Sequence, residues 1–146
     1  MTIEIRIRRL RPSDFDAMIA LFEVSGLQPR TKGRDSRTAI RRQLAAKGNR
    51  YFGAFDEDRL VGTLLGTQDT RKVWINRLAV DPEYRRRRVA KRLIRACERA
   101  FRAEGRLEMF AALIEPENET SKKVFRSAGY EIVPILYARK KLHRDV

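Results

Sequence analysis

Leu78–Ile94, LAVDPEYRRRRVAKRLI, decides how this chain is read. An apolar run stops at Asp81-Pro82, and four consecutive arginines, Arg85–Arg88, open a segment whose apolar residues recur at helical spacing. At about 100° per residue Val89, Leu93, Ala96, Cys97, Ala100 and Phe101 share one arc of that helix. Arg88, Lys91, Arg92, Arg95, Arg99 and Arg102 share the other. A strand that passes its chain to a basic helix N-terminus makes a site for an anion. The first helical turn leaves backbone N–H groups without partners, the helix dipole favours negative charge there, and arginine grips phosphate through two parallel hydrogen bonds.

Outward from this stretch the elements alternate in type. Upstream, VWINRLAV (residues 73–80) is too continuously apolar to face water on both sides. Before it, YFGAF and LVGTLLG flank DEDR and predict an antiparallel hairpin. Nearer the N-terminus, Ile3, Ile5 and Ile7 alternate with charged residues as in a half-buried strand. Ser13 and Asp14 offer capping oxygens to a helix carrying Phe15, Met18, Ile19 and Phe22, which runs to Gly26. QPRTKGRD is a polar connection, followed by a second helix over 36–47 that stops at Gly48.

Downstream, Gly105 ends the basic helix and LEMFAALI (107–114) predicts a further strand. A helix over 119–128 follows, with Val124, Phe125 and Ala128 on one face and Gly129 at its end. YEIVPILYARKKL (130–142) predicts a last strand, interrupted by Pro134, which cannot donate to a ladder and so marks an edge or a bulge. The pattern implies an α/β (α+β) chain with a mixed sheet, whose parallel part comes from the strand–helix–strand crossover over 73–114. At 146 residues it is read as a single domain, 1–146.

Composition narrows the partners. The 33 basic residues, 25 of them arginine, stand against 19 acidic ones for a net charge of +14. Such a surface meets anionic cofactors, acidic proteins or nucleic acid. The aromatic residues that would stack on bases are few and fall at core positions, which argues against nucleic acid. Cys97 is the only cysteine, so no internal disulfide forms. No signal-peptide core and no run of about 18 apolar residues is present, so the expectation is a cytoplasmic protein without a membrane partner.

In combination, VGTLLG, WINRLAVDPEYRRRRVAKRLI and LIEPENETSKKVFRSAGY resemble, in order, segments of the GCN5-related N-acetyltransferase (GNAT) family, and the short ending is similar to its compact bacterial branch. The resemblance implies a sheet that splays open beside the 73–80 strand, and transfer of an acetyl group from acetyl-CoA to a primary amine in a direct ternary complex, with no metal. It further implies that the backbone of Leu78, Ala79 and Val80 pairs with the pantetheine arm. Backbone amides across Arg85, Arg86, Arg87, Arg88, Val89, Ala90 and Lys91 would hold the pyrophosphate. Asn118, also a natural helix cap, would reach the pantetheine arm, and Ser121 and Lys122 would approach the far end of the cofactor.

Two departures from the family pattern stand out. Glycine is usual where Arg88 stands, and frequent at the positions of Arg86 and Ala90, because it lets phosphate approach the backbone. Arg88 therefore either folds back along the basic stripe as an extra phosphate ligand or occludes the site. Phe125 occupies the position of a tyrosine that returns a proton to the departing thiolate in many relatives, and a phenyl ring has none to give.

The general base is not assigned. Asn76 stands where some relatives carry an acid, Glu115 and Tyr137 are polar candidates near the splay, and His143 lies in the basic tail. The acceptor is an amine-bearing small molecule or a protein, and its specificity is expected from the first two helices, their QPRTKGRD connection and the final strand. The net charge of +14 disfavours a strongly cationic acceptor unless acidic groups cluster locally, and Asp56, Glu57 and Asp58 form the only dense acidic run before the 73–80 strand. A non-catalytic acyl-CoA-binding module of the same fold is the alternative, and the Pro134 edge offers a homodimer seam.

Overall fold

A computed structural model describes residues 3–144 and 146. The strands β1 (Ile5–Arg9), β2 (Asn49–Asp56), β3 (Arg59–Gln68), β4 (Lys72–Val80) and β5 (Met109–Ala112) form one sheet in that spatial order. The first four are antiparallel neighbours and β5 runs parallel to β4. The connection that makes a parallel pair must cross the sheet, and α3 (Val89–Arg102) does so.

Both faces of the sheet are covered, which is why β2 and β3 carry near-continuous buried runs rather than strict alternation. Helices α1 (Phe15–Ser25) and α2 (Arg37–Ala45) lie on one face, where Met18, Leu21, Phe22 and Ile40 meet Tyr51, Phe55, Leu60 and Leu65. On the other, α3 and α4 (Glu119–Ser127) bring Val89, Leu93, Cys97, Phe101 and Phe125 onto Phe52, Val61, Leu64, Val73 and Ile75. The buried residues of α3 follow its expected apolar arc, with Ile94 added. Two glycines of β3 set how closely α3 approaches. A Cβ on Gly62 would stand 2.9 Å from the Val89 side chain, and one on Gly66 would stand 2.7 Å from Phe101 and 2.8 Å from Cys97.

Local expectations meet several corrections. The β2–β3 turn is two residues, Glu57 and Asp58, because both strands extend further than their apolar cores. Ser36 caps α2 by accepting from the Ala39 N–H at 3.1 Å, but neither Ser13 nor Asp14 caps α1. Both lie in a 3-10 turn over Pro12–Asp14, where the Asp14 carboxylate accepts from the Arg11 N–H at 2.7 Å and pairs with Arg8 at 2.9 Å. A carboxylate already held there is not available to the α1 amides. The strand expected over 107–114 shortens to Met109–Ala112.

The largest correction is the tail: 130–142 forms no strand. Tyr130 and Ile132 pack against the core, whereas 133–144 are exposed throughout. A strand exists only beside a partner, and in this single copy the segment has none. Among the described residues, no helix is long and apolar enough to cross a membrane.

Candidate active site

The splay expected from the resemblance follows from the difference in length between β4 and β5. Pairing runs from Lys72↔Met109 to Ile75↔Ala112 and stops where β5 ends. β4 continues to Val80, paired with β3 alone through Thr63↔Ala79 and Gly62↔Val80. From Asn76 onward, its other edge has no strand beside it. A bulge lies at the point of divergence: Arg77 and Leu78 together face Leu64, and Arg77 takes a left-handed φ of 52°. Bulges bend a strand and increase its twist, here at the mouth of the opening. The Thr63 hydroxyl donates to the Arg77 carbonyl at 2.9 Å and holds the kink.

At the end of β4 the chain turns sharply. Asp81, buried, accepts from the Glu83 N–H at 2.9 Å and from Arg59 at 2.8 Å. Tyr84, also buried, donates its hydroxyl to Asp56 and has the Arg59 and Arg87 guanidinium groups each 5.3 Å from its ring. The turn is thus clamped to the β2–β3 hairpin. The arginines that follow are exposed, and Arg86 and Arg88 have left-handed φ of 65° and 60°. These are two of the positions where the family pattern favours glycine.

The backbone N–H groups of Arg86 through Lys91, six in succession, make no hydrogen bond of normal geometry to a protein acceptor among the described residues. Left-handed residues in such a turn aim successive N–H groups into one concavity, a ready anion nest. Arg88 lines a groove of about 460 Å³ with Lys91, Arg92, Arg95, Arg99 and Ile7, so its side chain runs along the basic stripe.

Because β4 and β5 are parallel, the N-termini of α3 and α4 rise from the same end of the sheet, on either side of the opening. Ligands of α/β sheets sit in that kind of crevice, beyond the carboxyl ends of the strands. Leu78 and Val80 are half-buried there and Ala79 is buried. Val89 is buried in the core, so only its backbone can serve a ligand, while Ala90 and Lys91 are half-buried. The exposed Asn118 caps α4, accepting from the Ser121 N–H at 3.0 Å, with Ser121 half-buried beside it. Lys122 is engaged by Glu119 at 2.9 Å and by the Pro116 carbonyl.

The candidate acid–base groups are more scattered. Asn76 is exposed at the divergence and Glu115 is exposed just beyond β5. Tyr137 is 66% exposed in the unpaired tail, and His143 is exposed further along it, so neither is brought to the opening. Phe125 is buried, edge-on to Tyr130 with ring centres 5.1 Å apart. The Tyr130 hydroxyl donates to Glu98 at 2.7 Å, and burial first, then that hydrogen bond, push its pKa up. Among the described residues no cluster of His, Cys, Asp or Glu side chains is placed to hold a metal ion.

One constellation was not foreseen from the sequence. Asp35, 1% exposed, ends the polar connection between α1 and α2. Its carboxylate accepts from the Arg30 N–H at 2.8 Å and from the Arg77 guanidinium, with Arg34 at 3.7 Å. Arg77 lies 4.7 Å over the Phe22 ring. Tyr51, buried in the core of this face, has a hydroxyl with no hydrogen bond of normal geometry, and burial pushes its pKa up. The ion pair ties the α1–α2 connection to the bulge of β4. The one available signal was an arginine inside an apolar strand, which needs a carboxylate partner when buried.

The chain matches the Acetyltransferase (GNAT) family over residues 15–130. It is 26% identical over 141 residues to an acetyltransferase of Pectobacterium atrosepticum, covering 97% of this chain and 98% of that one. It is 35% identical over 103 residues to an uncharacterised protein of Mycobacterium leprae, covering 64% of this chain but only 26% of that protein. In three dimensions it is similar to the aminoglycoside N-acetyltransferase AAC(6')-Iy in complex with CoA, with a TM-score of 0.79 at 21% identity over 98% of each chain. A sheet that opens between β4 and β5, an amide-lined turn at the head of α3, and a family match across most of the sequence lead to one assignment: the chain belongs to the GNAT acetyltransferase family.

Proposed function

We propose that the chain acts as one N-acetyltransferase domain, transferring the acetyl group of acetyl-CoA to a primary amine by direct attack in a ternary complex. The observation that carries this reading is the run of six unpartnered amides, Arg86–Lys91, beside the open edge of β4. A pyrophosphate fits that run by charge and by hydrogen-bond polarity. In this reading Leu78, Ala79 and Val80 pair with the pantetheine arm as an added strand would, Arg85–Arg88 supply cationic side chains, and Asn118 and Ser121 approach from α4. Acetyl-CoA supplies a thioester whose carbonyl is the electrophile and whose thiolate leaves.

The chain's own residues then bring the amine to the thioester, and proximity supplies a large share of the acceleration. Asn76, at the divergence, orients the amine or a water that takes its proton. Phe125 gives no proton, so water protonates the departing thiolate. The acceptor would enter on the α1–α2 side, where Arg30, Arg34 and Arg77 gather around Asp35. AAC(6')-Iy is named for aminoglycosides, which are polycations. This basic surround instead favours an amine that carries a carboxylate close by, as a free amino acid does.

Acetyl-CoA at a hundredfold excess over its Kd raises the stability of the fold by about 2.7 kcal/mol. Thiol release is then followed with an aminoglycoside, a polyamine, an amino acid and a peptide. The assay has little background, since Cys97 is buried and desolvation pushes its thiol up to about 12. Absence of any thermal shift overturns the proposal. A shift with no turnover on any amine leaves the non-catalytic acyl-CoA-binding reading, which the buried Phe125 favours.

A further inference from the structure

We propose that the groove between α3 and the outer edge of β1 receives an acidic, extended segment of another protein, which adds to the sheet as a strand beside β1. The inference does not rest on the acetyl-transfer reading. β1 lies at the opposite end of the strand order from the β4–β5 opening, and of the groove's cations Arg88 stands nearest the turn that heads α3.

The wall of the groove is a row of cations. Arg88, Lys91, Arg92, Arg95 and Arg99 line it, with Ile7 of β1 at its base. Among the described residues none of the five pairs with a carboxylate, whereas seven arginines elsewhere do. Glu98, the one acid of α3, accepts from the Tyr130 hydroxyl instead. Like charges three and four positions apart on a helix repel. An anion from outside the chain relieves that repulsion.

The base of the groove selects the kind of anion. β1 is the first strand of the sheet and pairs with β2 alone. Just past the end of β1, the Leu10 N–H donates to the Tyr51 carbonyl at 2.8 Å. By antiparallel alternation Arg8 and Arg6 also turn their main chain toward β2, while Ile5 and Ile7 present N–H and C=O groups to the open side. Such an edge asks for acceptors and donors in turn. Phosphates offer acceptors alone, whereas a peptide backbone offers both. No aromatic side chain lines the groove, so bases find nothing there to stack on.

Charge and spacing then define the peptide. A strand beside β1 places every second side chain on the α3 face, about 7 Å apart. The cationic row repeats every three or four residues, about 5 Å along the helix, and long arginine side chains absorb the difference. Acidic residues at alternate positions therefore meet the row. A second copy of this chain is the wrong occupant, since its β1 would bring Arg6, Arg8 and Arg9 toward the same cations.

The test is fluorescence anisotropy of a short labelled peptide of alternating glutamate and valine, titrated with the full chain at low salt. Arg92→Gln combined with Arg95→Gln is expected to weaken binding about tenfold or more. Both side chains are exposed and their loss eases the repulsion along the row, so the variant keeps its circular dichroism and a Tm no lower than the parent's. A peptide with two adjacent prolines at its centre keeps its charge but loses ladder donors, and is expected to bind about tenfold more weakly as well. Saturating coenzyme A changes the affinity by less than about threefold. Absence of binding at low salt, binding indifferent to the two glutamines or to the prolines, displacement by coenzyme A, or tighter binding of a DNA duplex would each overturn the proposal.

Discussion

The two flanks of β4 are built from different materials. Toward α3, the proposed cofactor site consists of backbone amides and exposed arginines contributed by one unbroken stretch, Arg85–Lys91. Toward α1 and α2, it rests on a buried ion pair between Arg77 and Asp35, 42 positions apart. The first arrangement tolerates changes of side chain, because the groups it offers are main-chain N–H. The second depends on two particular residues, since removing either leaves the other charge in a low-dielectric interior.

The sharpest break of this contrast is Asp35→Ala. Leaving Arg77 buried without its partner costs about 3–5 kcal/mol, which lowers Tm by on the order of 10 °C for a domain of this size. Coenzyme A affinity of the folded variant stays within about twofold, because the amide run is untouched. A loss of stability below about 1 kcal/mol, read by denaturant titration, would show that the pair is not what secures this flank.

Arg88 probes the other flank with a smaller effect. A left-handed φ of 60° costs a non-glycine residue about 1 kcal/mol. Arg88→Gly therefore exceeds Arg88→Ala in stability by about that amount. Both variants bind coenzyme A severalfold more weakly than the parent, as a cation beside the amide run is gone. Affinity for Arg88→Gly above that of the parent, measured by calorimetry, would instead make the arginine an obstruction.

The smallest effect is expected at Asp14, which pins the turn before α1 to β1. The Arg8 hydrogen bond, reinforced by the Arg11 N–H, holds its carboxyl below the usual carboxylate range. A carboxyl with a depressed folded-state pKa stabilises the fold above its unfolded pKa of about 3.9, and the gain disappears as pH falls through the folded value. Asp14→Asn accordingly costs about 1 kcal/mol or less at neutral pH, the Arg8 side being partly solvent-screened. The gap between the two proteins narrows below about pH 4. A gap constant from neutral pH to acid would remove the ion pair from the account.

How much could be read without coordinates follows the same contrast. The strand–turn–helix of Leu78–Ile94 was legible because hydrophobic period, Asp-Pro punctuation and contiguous arginines are local signals, and the buried face of α3 follows them. The opening between β4 and β5 was expected from the family resemblance, and the early end of β5 creates it. Asp35 was not legible, since nothing in QPRTKGRD separates a buried acceptor from a solvated aspartate until Arg77 arrives across the fold. Asp14 was misplaced because its carboxylate is taken by Arg8, a partner on another element. The tail was read as a last strand and forms none, for strand propensity names a need for a partner without supplying one.

Sequence alone therefore settled the order and type of most elements, the basic arc of α3 and the amide-rich turn at its head, all of them consequences of spacing along a short stretch of chain. Tertiary structure decided the bulge at Arg77, the buried carboxylate that meets it and the edge left open on β5. Each of these depends on which distant backbone or side chain comes to lie alongside, and short-range periodicity carries no record of that.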